Sequence, residues 1–64
     1  MKDYHVFNNA ANDLVCVKAN SPIAAVKSIC GSDVKRVSKD EMNIDFIVSE
    51  LYKSDKRFYY NKVA

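Results

Sequence analysis

The chain holds one proline and one glycine, and they stand at the two ends of a single apolar segment, in "ANSPIAAVKSICG", residues 19–31. Proline belongs at the first helical position, because the amide hydrogen it lacks would have no partner there. Ser21 just before it is a good N-cap, and Gly31 can take the left-handed turn that ends a helix. The pattern predicts a helix over 22–30. Ile23, Val26 and either Ile29 or Cys30 form its inward stripe, and Ala24 and Ala25 allow close approach to a sheet. Such a helix has about two and a half turns, too few to stand alone, so it must pack on something.

The sheet it needs is written on both sides. "YHVF" (4–7) and "LVCVKA" (14–19) have strand character, with Val15 and Val17 on one face of the second and Leu14 and Cys16 on the other. The polar "NNAAND" between them suits the turn of an antiparallel hairpin. "VKRVSK" (34–39) reads as a third strand, although Val34 and Val37 fall on opposite faces under strict alternation. "DEMNIDFIVSELYKSD" reads as a second helix. Asp40 caps it, Ile44, Ile47, Val48 and Leu51 make its stripe with Tyr52 alongside, and early Glu41 and Asp45 with late Lys53 suit the helix dipole. A strand in "NIDFIV" is the competing reading. "RFYYNKV" (57–63) is an aromatic terminal strand, with Phe58 and Tyr60 on one face and Tyr59 on the other. Residues 1–64 are therefore expected to form one compact α+β domain in the order β-β-α-β-α-β, with two helices packed on one face of a mostly antiparallel sheet.

At 64 residues such a domain is near the lower limit for folding without a metal, a disulfide or a partner. Four Tyr and three Phe help, since each removes a large surface from water. Cys16 and Cys30 lie in apolar contexts and are expected as buried, reduced thiols. The N-terminus lacks the hydrophobic region of a signal peptide, and no apolar run approaches membrane-spanning length. The expected location is cytoplasmic, with no membrane association.

Catalytic and metal chemistry find little support. His5, the single histidine, has no nucleophile defined for it by spacing, and its pairing with Cys16 across the hairpin would fit almost any small protein holding both residue types. Thirteen residues separate Cys16 from Cys30, and one histidine cannot complete a structural zinc set. Asp40, Glu41, Asp45 and Glu50 lack the ordered ligand ladder of a calcium loop. No cofactor or metal is expected, a non-catalytic role is favoured, and a cysteine-dependent enzyme is the weakest reading.

Binding has more to rest on. The formal net charge is +2, too small to diagnose a nucleic-acid binder. Lys35, Arg36, Lys39, Lys56, Arg57 and Lys62 could still meet phosphates while Tyr59 or Tyr60 stacks a base, which gives a single-stranded nucleic-acid binder as the second reading. The leading reading is a small protein-interaction or regulatory module, such as an accessory protein of a phage or another mobile element. It would associate with an unidentified protein or with itself through Arg57, Tyr59 and Tyr60, residue types common at binding hot spots.

Overall fold

The computed structural model describes residues 1–51 and 53–63, and for 53–55 the backbone alone. The elements are β1 (Lys2–Asn8), β2 (Asp13–Ala19), α1 (Pro22–Cys30), β3 (Val34–Val37), β4 (Phe46–Glu50) and β5 (Lys53–Lys62). The five strands make one sheet in the order β2-β1-β4-β5-β3, and every neighbouring pair is antiparallel. Among the described residues α1 is the one α-helix, so the order is β-β-α-β-β-β and the expected second helix is corrected to a loop followed by a strand.

The capped segment folds as its ends dictate. Ser21 Oγ accepts from the Ala24 N–H at 3.2 Å, and Gly31 closes the helix at φ +72°, its N–H donating to the Lys27 carbonyl at 2.9 Å. A Cβ at Gly31 would meet nothing within 4 Å, so the backbone angle alone calls for glycine. The Ser21 cap contributes about 1 kcal/mol. Ala25 and Val26 are fully buried, and Ile29 and Cys30 pack beside them. Ile23, expected inward, is instead 38% exposed.

The segment expected as the second helix does carry a helical stripe, but three other influences decide its conformation. Ser38 turns the chain first, its Oγ accepting from the Asp40 N–H and its carbonyl from the Glu41 N–H. Asp40 is thereby held in a turn rather than at a cap. Asn9 then takes the loop from one side, its Nδ2 donating to the Ile44 carbonyl at 3.0 Å and its backbone N–H to the Asp45 carbonyl at 2.9 Å. Asn61 takes it from the other, accepting from the Asp45 N–H at 2.7 Å and donating to the Asn43 carbonyl at 2.8 Å. Held from both sides, the chain enters β4 between β1 and β5, where each of its edges finds a strand to bond. Tyr52, expected beside the helical stripe, lies outside the described residues, as does the side chain of Lys53.

The core lies on the side of the sheet that α1 covers. Tyr4 and Val6 of β1, Phe46 and Val48 of β4, Tyr60 of β5 and Val34 of β3 close over Ala25 and Val26. α1 touches all five strands, yet nine helical residues span only about 14 Å, and no second element of the described chain covers the other face.

Candidate functional site

Paired residues in a ladder share a face, so the register reveals what the uncovered side presents. Leu14 on β2 pairs with Phe7 on β1, Phe7 with Ile47 on β4, Ile47 with Tyr59 on β5, and Tyr59 with Val37 on β3. All five alternate with core residues and point away from the helix. An unbroken apolar row therefore crosses the whole sheet, about 19 Å from end to end at ordinary strand spacing. Phe7, Ile47, Tyr59 and Val37 are half-buried by one another, and Leu14 at the edge is 59% exposed. This row also resolves Val34 and Val37: β3 is regular, and each valine serves a different side of the sheet.

A polar row runs beside the apolar one. Cys16 pairs with His5, His5 with Ser49, and Ser49 with Arg57. Cys16 is exposed rather than buried, and both cysteines are free. His5 and Cys16 do face each other across the hairpin. Their surroundings are the open face of the sheet, at its β2 edge. The structure brings the pair together without building a reaction site around it. Among the described residues, no three His, Cys, Asp or Glu side chains converge on a point where a metal could sit.

The candidate binding residues are divided by the sheet. Arg57 is exposed and Tyr59 half-buried, both on the uncovered face. Tyr60 points the other way and is 5% exposed in the core, which removes it from any surface. Of the six cations considered for nucleic acid, Lys35 and Arg57 stand on the uncovered face. Arg36 and Lys62 alternate onto the helix side, where Arg36 lies over the Phe58 ring at 5.0 Å. Lys39 sits in the turn after β3, and Lys56 is exposed on β5. They form no single patch. Phe7, Leu14, Ile47 and Val37 were not among the sequence candidates, and only the pairing register joins them to Tyr59.

Burial holds the Tyr60 hydroxyl above its ordinary pKa of 10.0; Arg36 opposes the shift and Tyr4 adds to it. The folded state therefore keeps a proton that the unfolded chain gives up, so this contribution to stability is complete below pH 10.0 and is lost as pH climbs through the folded value. Urea midpoints should fall more steeply for the wild type than for Tyr60→Phe between about pH 9 and 11. Parallel curves would exclude Tyr60 as the source.

Open hollows bounded by described residues add to this surface. The first, of about 290 Å³, lies at the sheet end between Asn8, Ala11, Asp45 and Lys62, and its carboxylate already accepts from the Lys62 N–H at 2.9 Å. Another, about 270 Å³, is bounded by Lys27, Gly31, Ser32 and Asp33. No helix among the described residues is long and apolar enough to cross a membrane. In comparisons with known proteins, no family model, curated protein or solved structure matches the chain, so its functional reading rests on the uncovered face.

Proposed function

We propose that this chain is a small non-catalytic interaction module whose working surface is the uncovered face of its sheet. The carrying observation is the row Leu14–Phe7–Ile47–Tyr59–Val37, which spans all five strands opposite the core. A contiguous apolar strip rimmed by polar residues is the usual mark of a protein-binding surface. Tyr59 and Arg57 supply the large side chains on which such interfaces depend. The free thiols of Cys16 and Cys30 suit a cytoplasmic setting, where they stay reduced.

A second reading has one observation in its favour: Arg57 and Lys35 flank Tyr59 on the same face, the parts of a stacking platform for single-stranded nucleic acid. One experiment separates the two. The immobilised wild-type chain should retain a protein from host-cell extract, its own kind or another. Arg57→Ala/Tyr59→Ala should lower that retention about tenfold or more, with an unchanged circular dichroism spectrum. Retention indifferent to the double substitution overturns the interaction reading. So does specific oligonucleotide binding that falls steeply with salt while no protein is retained.

A further inference from the structure

The uncovered row has an order that its composition alone does not show. From β2 to β3 it runs aliphatic, aromatic, aliphatic, aromatic, aliphatic, and its middle member, Ile47, lies on β4, the central strand of the five. Reversed, it presents the same sequence of shapes. A two-fold rotation about its middle therefore sets aliphatic against aliphatic and aromatic against aromatic, one patch used by both copies as in an isologous interface. Resting on the interaction reading above, we infer that the partner is a second copy of this chain, seated face to face with its two-fold axis parallel to β4 and passing over Ile47.

This placement matches every member of the row. Ile47 meets the partner's Ile47, Phe7 meets the partner's Tyr59, and Leu14 meets the partner's Val37. Two aromatic pairs and three aliphatic contacts thus form about one axis. Arg57 comes over the partner's His5, and the next residue on that face of the same strand is the partner's Asp3, within reach of a guanidinium. Strands keep nearly the same direction in both sheets, the aligned class of sheet packing at about 10 Å separation.

The size is sufficient for a modest dimer. Five strands and three side-chain rows make a face of about 24 by 20 Å. Two such faces cover roughly 1,000 Å² in all, the lower end of specific interfaces. The association closes at two copies because the shared face is used up. The sheet would then be covered on both sides, and the apolar row would become a second core layer.

Sedimentation velocity on the full chain should show a concentration-dependent passage from monomer to dimer across the micromolar range, with no larger species. Ile47→Lys places two unpaired ammonium groups on the axis and should weaken the dimer at least about a hundredfold. A cysteine on the axis supplies a readout independent of that variant's folding. In a Cys16→Ser/Cys30→Ser background, Ile47→Cys should be joined to its partner's copy by a short bis-maleimide, since sheets about 10 Å apart are too distant for a direct disulfide, while Ser28→Cys on the exposed side of α1 should not. A chain that stays monomeric at millimolar concentration, or a dimer in which Ile47→Cys cross-links no faster than Ser28→Cys, overturns the proposal. If another protein is nevertheless retained through Arg57 and Tyr59, the interaction reading survives and only the second copy falls. Loss of both the dimer and that retention removes both.

Discussion

Phe46→Ala should destabilise the protein by about 3–5 kcal/mol, the largest loss expected from any single truncation in this sheet. Phe46 is the largest of the fully buried side chains, 2% exposed alongside Val6, Val26 and Val48. It enters β4 at the seam of three strands, paired with Asn8 on one side and Tyr60 on the other. Removing the ring leaves a cavity that the paired backbones cannot close, because their ladders hold them apart. A 64-residue domain typically has about 3–10 kcal/mol of stability, so the loss takes a large share of it. Urea titration followed by circular dichroism measures the loss; a change below about 1 kcal/mol would mean that Phe46 is not packed as described.

Asn61→Ala should cost about 2 kcal/mol although it removes little apolar surface. Its amide carries two bonds at once, accepting from the Asp45 N–H and donating to the Asn43 carbonyl. Asp45 is half-buried, so its N–H would have poor access to water once the acceptor is gone. Asn61→Asp provides the control: it restores an acceptor for Asp45 but loses the donor to Asn43 and brings a charge close to the Asp45 carboxylate. Both variants should shift the urea midpoint downward, and amide exchange at Asp45 should accelerate in Asn61→Ala. Unchanged exchange would show that Asn61 does not hold the loop.

Where structure was set by neighbouring residues, it could be read directly from the chain. Ser21, Pro22 and Gly31 mark both ends of α1 because caps act within a few residues. The Asn-rich hairpin turn is local too: Ala11 donates to Asn8 Oδ1, and Asn12 takes a left-handed φ of 52°. β4 escaped for a physical reason. A central strand with one face in the core and the other in an apolar row shows no clean alternation, and Ile44, Ile47, Val48 and Leu51 happen also to satisfy a helical period. The deciding bonds come from Asn9 and Asn61, remote in sequence from the segment they hold. The uncovered face was half legible. Alternation within one strand separated Arg57 and Tyr59 from Phe58, and it set Tyr60 on the Phe58 side. The row itself draws one residue from each strand, so no local window contains it.

The strand order also bears on how fast the chain can find its fold. β1 with β2 and β4 with β5 are hairpins that close short loops. The β1–β4 seam, in contrast, joins Tyr4 to Glu50 and Asn8 to Phe46, partners separated by most of the polypeptide. In between, the chain leaves one edge of the sheet at β2, forms α1 and re-enters at the opposite edge as β3. The helix therefore has no complete surface to dock on until the seam exists, and the seam closes the longest loop. Because folding slows as paired strands lie further apart in sequence, closure of this seam is expected to set the rate and to place this small protein among the slower folders of its length.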